Sequence, residues 1–261
     1  MSDLRLATLA PLLIADAPAK ARATLALDAT LPVDVHAVIA APAGIPGRPE
    51  RPRLVEHIQL KAPSMRTPAG IAALVHAIAH IELNAIDLAL DICWRFAGMP
   101  EAFYRDWLRI AQEEATHFML LREHLLELGF DYGHFDAHNA LWDMAERTKH
   151  DLLARIALVP RTLEARGLDA SPAVRAKLVG AGDRKAGEIL DIILRDEIGH
   201  VAAGNRWYRF LCEQRGLDPV ATYAELAARH QAPRLRAPFN LAARRAAGFD
   251  EAELAALQQQ A

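Results

Sequence analysis

Glu113-Glu114-Ala115-Thr116-His117-Phe118 and Asp196-Glu197-Ile198-Gly199-His200-Val201 are two copies of one pattern: an acid, a glutamate and, three residues further on, a histidine. On a helix, residues at i and i+3 share a face and stand about 4.5 Å apart along the axis, so each pair can grip one metal ion. Glu82 lies 32 residues before Glu114, and Glu164 lies 33 before Glu197, so the chain reads as one half-site written twice. Four carboxylates and two imidazoles, on four helices, form the ligand set of a di-iron or di-manganese carboxylate bundle.

The flanking residues supply those helices. Thr67 and Pro68 make an N-cap and first turn, and the helix they open runs to about Phe96, where Gly98 and Pro100 stop it. Its apolar stripe of Val75, Ile78, Ala79, Ile86 and Ala89 is interrupted by Glu82. A buried carboxylate needs a cation, a partner or water. A second helix runs from about Glu101 to Gly129, with Glu114 and His117 on a face shared by Trp107, Ile110, Phe118 and Leu121. Residues 129–139 have the composition of the long crossover that a bundle of two similar halves requires.

A third helix is expected from about Ala140 to Arg166, with Pro160 inside it, and a fourth from Asp183 to about Arg215. Antiparallel helices meeting at one site turn near the midpoint between their ligands. That midpoint is Gly98 for the first pair and residues 180–182 for the second. Residues 167–171 are accordingly expected to be a bend within the third arm.

Outside this core, residues 4–28 read as one or two short helices, and the prolines of residues 31–68 demand extended chain. Residues 46–53 read as a solvated arm or a binding element. After Gly216 come a helix near Pro219 to His230, a Pro- and Arg-containing segment, and a last helix capped by Asp250. The expected organisation is residues 1–66 as N-terminal helices and arm, 67–215 as the bundle, and 216–261 as a helical tail packed on it.

Composition narrows the function. At 261 residues and 52% hydrophobic the chain can bury a large core, and 30 basic against 33 acidic residues give no general nucleic-acid signal. Cys93 and Cys212 are not in metal spacing and read as buried thiols. Residues 1–13 lack a sustained apolar core for a signal peptide, and no apolar run approaches about 20 residues, so a cytoplasmic protein with no membrane partner is expected. Oxygen and imidazole ligands without thiolate favour two iron ions, with manganese or a mixed iron–manganese pair as alternatives. Asp196 and Glu113, beside the ligands, can point sideways to the histidine of the opposite half and fix its tautomer, or be surface carboxylates. His76, His80, Asp87 and Asp91 form a second polar stripe on the first helix. It reads as a hydrated face or as hydrogen bonds to the extra elements, with a substrate channel as the rival. Arg161 and Arg166 flank Glu164, either balancing charge behind it or forming surface salt bridges.

The segments His76-Ala-Ile-Ala-His80-Ile-Glu82, Glu113 to Phe118, Val159-Pro160-Arg161, Leu163 to Asp169, Asp196 to Val201 and Pro46-Gly47-Arg48-Pro49 resemble a bacterial domain-of-unknown-function family within the ferritin-like superfamily. The resemblance covers almost the whole chain. It implies a ferritin-like bundle carrying Glu82, Glu114, His117, Glu164, Glu197 and His200 as ligands. With the residue-level reading, the expected fold is an all-α, ferritin-like four-helix bundle with a long crossover, extra terminal helices and an extended Pro-rich arm. By ligand layout the site is similar to that of the tRNA hydroxylases that act on thiomethylated isopentenyl adenosine. The expected function is an oxidoreductase that activates dioxygen to oxidise or hydroxylate a small-molecule or modified-nucleoside substrate, served by an electron donor, in a small homo-oligomer. The rivals are metal handling, as ferroxidase or peroxide detoxification, and a metal-stabilised scaffold. No catalytic side chain beyond the ligands is singled out.

Overall fold

The computed structural model describes residues 3–60 and 62–259. It is all-α: twelve α-helices, a short 3-10 turn and one π-helix, with a single isolated bridge between Leu54 and Ala137 and no strand among the described residues. The chain divides into two compact units, Met1–Ala140 with Gly180–Ile189, and Leu141–Val179 with Leu190–Ala261.

The first unit is built on two long helices, α4 (Pro68–Arg95) and α5 (Glu101–Glu127), which pack against each other. The α4 start follows from its sequence: the Thr67 side chain accepts a hydrogen bond from Gly70 N, and Pro68 occupies the first turn, where no donor is needed. Gly98, at φ +84°, makes the turn into α5. Val75, Ala79, Ile86 and Leu90 of α4 and Trp107, Ala111, Phe118 and Leu121 of α5 are buried. Each large apolar side chain so buried contributes about 1.5–3 kcal/mol. By length and composition α4 alone among the described helices could cross a membrane, but 67% of its most apolar window is buried inside the protein, as in a core helix.

Three short helices, α1 (Leu4–Ala7), α2 (Leu9–Leu12) and α3 (Ala17–Leu25), lie against this pair. The Pro-rich segment is no solvated arm near Gly47. Pro46 and Gly47 are buried, Gly47 N donates to Leu12 O at 2.8 Å, and Lys20 Nζ donates to Gly47 O at 2.9 Å while pairing with buried Asp87. A Cβ on Gly47 would stand 2.2 Å from the Leu13 carbonyl oxygen, so only glycine fits.

The second unit contains α6 (Ala140–Arg147), α7 (Leu152–Leu158), the π-helix Val159–Glu164, α8 (Ala165–Gly180), most of α9 (Arg184–Arg215), and α10 (Pro219–Arg229), α11 (Leu241–Ala246) and α12 (Glu251–Gln259). The expected third helix is therefore interrupted. Asp151 caps α7 by accepting from Leu153 N and Ala154 N, and buried Arg155 ties the corner, donating to Ala145 O at 2.6 Å and Thr148 Oγ1 at 3.0 Å.

Residues 167–171, expected to be a bend within the third arm, are helical: α8 is continuous through them, with Pro172 inside it. Pro172 cannot donate to the carbonyl of Leu168, and Asn240 Nδ2 supplies that bond instead at 3.2 Å. The irregularity sits on the other side of Glu164, in the π-helix. The turn at residues 181–182 falls where the ligand midpoint put it, with Gly182 at φ +96°.

Candidate metal centre

Within the first unit, Glu82 on α4 and Glu114 and His117 on α5 are all buried. His117 Nδ1 lies 3.2 Å from Glu82 Oε2 and 3.3 Å from Glu114 Oε2. The ligand atoms of these three side chains lie within 4.8 Å of one another. Burial disfavours a charged His117, but the hydrogen bonds its Nδ1–H donates to Glu114 and Glu82, together with their charge, outweigh it and lift its pKa to about 11. Two carboxylates thus hold a cation between them, and a metal ion can take the place of that proton.

The second unit carries the other copy. Glu197 and His200, on α9, are buried, with His200 Nδ1 3.6 Å from Glu197 Oε1. Glu164 is half-buried at the last position of the π-helix. In both copies Nδ1 is the histidine nitrogen turned toward the glutamate three residues before it. The donor set, carboxylate oxygens and imidazole nitrogens in a dry interior, fits a divalent transition metal. Asp196 is half-buried and pairs with Arg195 at 2.8 Å, and Glu113 pairs with Arg109 at 2.7 Å.

The second polar stripe of α4 is buried too: Asp87 bonds to Lys20 of α3, His76 and His80 to the crossover at residues 129–139, and Asp91 within α4 itself. Gly133 N donates to His76 Nε2 at 2.9 Å, His80 Nε2 donates to the His138 carbonyl at 3.0 Å, and the Tyr132 hydroxyl donates to His80 Nδ1 at 2.8 Å. Burial pushes the pKa of both histidines down to about 4, so both are neutral near pH 7. Asp91 forms a forked pair with Arg95. Sequence reasoning did not single out Lys20, the partner of Asp87, because a lysine in a short amphipathic helix gives no sign of being buried.

Fold and site together define an all-α protein with a buried group of glutamates and histidine able to hold a metal ion. The chain belongs to the family described as "Protein of unknown function (DUF455)", whose sequence profile matches residues 13–255. A Haemophilus influenzae protein described as "Uncharacterized protein" is 50% identical over 213 residues, 79% of this chain and 74% of the relative. No solved structure matches the chain.

Proposed function

We propose that α4, α5, the arm carrying Glu164 and α9 form a ferritin-like four-helix arrangement in which the two half-sites hold two metal ions, iron first and manganese as the substitute. The protein is then an oxidoreductase that activates dioxygen to oxidise or hydroxylate an organic substrate. The observation that carries this reading is the buried triad of Glu82, Glu114 and His117, whose pattern the chain repeats at Glu164, Glu197 and His200. Bound Fe(II) would supply two of the four electrons that dioxygen reduction requires, the oxidised substrate would supply the other two, and an electron donor would re-reduce the iron.

The chain's own residues do the rest. Glu82, Glu114, Glu164 and Glu197 balance the charge of two divalent ions, and His117 and His200 complete the two halves through Nδ1. His117, whose Nδ1 faces both Glu82 and Glu114, would give up its proton there to make room for an ion. The apolar side chains around the triad, Ala79, Ile86, Ala111 and Phe118, keep bulk water out. Asp196 and Glu113, next to the ligands, would orient the histidines.

Elemental analysis after anaerobic Fe(II) loading, followed by oxygen-uptake measurement, tests the reading. Two ions per chain and rapid oxygen uptake are expected, with Glu114→Ala and His200→Ala each losing metal. Full dinuclear occupancy in either variant would sink the ligand assignment, and loaded protein inert to oxygen in the presence of reductant would favour a structural metal.

A further inference from the structure

Arg161 is the second residue after the start of the π-helix and is only 4% exposed, in a segment whose last residue is Glu164. Its guanidinium lies over three rings, with centroids at 4.6 Å (Tyr208), 4.9 Å (Phe249) and 5.0 Å (Tyr223). Nε donates to Asn205 Oδ1 at 2.8 Å, and Nη2 pairs with Glu253. Glu253 also accepts from Arg209, and the capping box it forms with Asp250 fixes it in place. Tyr223, Phe249 and Glu253 come from the C-terminal tail, and Asn205 comes from α9, five residues after His200. Asn205 in turn donates to Ala247 O at 2.7 Å.

A π-turn is a strained form of helix that persists only where its surroundings hold it. Here Thr162 Oγ1 donates to the Ala157 carbonyl, five residues back, at 2.7 Å, and meets the Tyr223 hydroxyl at 3.0 Å. Gly204 on α9 leaves room for the Pro160 ring, since a Cβ there would stand 3.1 Å from Pro160 Cβ. Relaxation to α-helix would change the register by one residue and turn Glu164 by about 100° relative to α7.

We infer that Arg161 is a positioning residue for Glu164: the C-terminal tail grips its guanidinium and so fixes the π-turn that presents the Glu164 carboxylate. The inference rests on the reading of Glu164 as a metal ligand. One buried network joins the π-helix to α9, so the tail governs how Glu164 stands relative to Glu197 and His200, which share the second unit with it. Lysine keeps the charge but cannot form the fork to Asn205 and Glu253 while stacking on the rings.

The test is Mn(II) titration of the full chain, followed by calorimetry and by the electron paramagnetic resonance signal, alongside urea unfolding of the metal-free protein. Arg161→Lys and Glu253→Gln are expected to weaken one bound ion by about 10–100-fold, the range seen when a group supporting a ligand is changed. Arg155→Lys, which breaks a buried fork elsewhere in the same unit, is expected to lower the unfolding midpoint and leave Mn(II) affinity unchanged. Wild-type affinity and spectrum in Arg161→Lys, with Glu164→Ala losing an ion, would overturn this inference alone. A Glu164→Ala protein that binds like wild type, or a wild-type protein that binds no metal, would overturn the ligand reading and the inference with it.

Discussion

His117 Nδ1 of α5 stands 3.2 Å from Glu82 Oε2 of α4, both side chains buried, so an imidazolium cross-links the two longest helices of the first unit. Removing one partner of a buried ion pair leaves the other charge uncompensated, at a cost of about 3–5 kcal/mol. His117→Ala is expected to destabilise the metal-free protein by about that much, measured by urea unfolding in chelator. Since the loss comes from two stranded carboxylates, adding Glu82→Gln to it should restore part of the stability. A single variant as stable as wild type would contradict the ion-pair account.

His76 gives the expected pH dependence. Its pKa is lowered to about 4 by burial first and by the neighbouring His134 second, against an ordinary value of 6.5 in the unfolded chain. Between these two values the unfolded state binds the extra proton and the folded state does not. Stability therefore falls as pH drops from about 6.5 through 4, by about 3 kcal/mol from this group at most. In His76→Gln the slope of unfolding free energy against pH across that window should be shallower than in wild type; an unchanged slope would assign the effect elsewhere.

Gly47 cannot carry a side chain without moving the backbone of Leu13. Gly47→Ala is expected to cost about 1–3 kcal/mol, as overpacking does, and to loosen the strap over Lys20 and Asp87. Limited proteolysis in residues 46–53 should accelerate in this variant. Protection equal to wild type would show that the strap is held by something other than the Gly47 contacts.

Asn240 stands in for the backbone donor that Pro172 lacks. Asn240→Ala should cost about 1–3 kcal/mol by stranding the Leu168 carbonyl. Pro172→Ala, which restores the amide, should offset part of that loss in the double variant. Additive losses in the pair would break the link between the two residues.

These residues also mark how far the sequence could be read. The Thr67-Pro68 start and Gly98 end of α4 are local signals, and ligand spacing located the turn at residues 181–182 because two helices meeting at one site must be of similar length beyond it. The continuity of α8 was hidden, because Ser171-Pro172 reads as a breaker until Asn240, far along the chain, supplies the missing donor. Pro160 reads as lying inside a continuous third helix, because the π-turn there depends on Gly204, Thr162 and the tail. Arg161 was visible as a charge beside Glu164, whereas its partner Glu253 lies 92 residues away and carries no signal of the pairing in the sequence.

The most direct measurement is anomalous scattering at the iron edge from crystals of Fe(II)-loaded protein. The account predicts two peaks, one touching Glu82, Glu114 and His117 Nδ1, the other touching Glu164, Glu197 and His200 Nδ1. Crystals of loaded protein with no peak at these side chains, or with iron bound elsewhere, would contradict it.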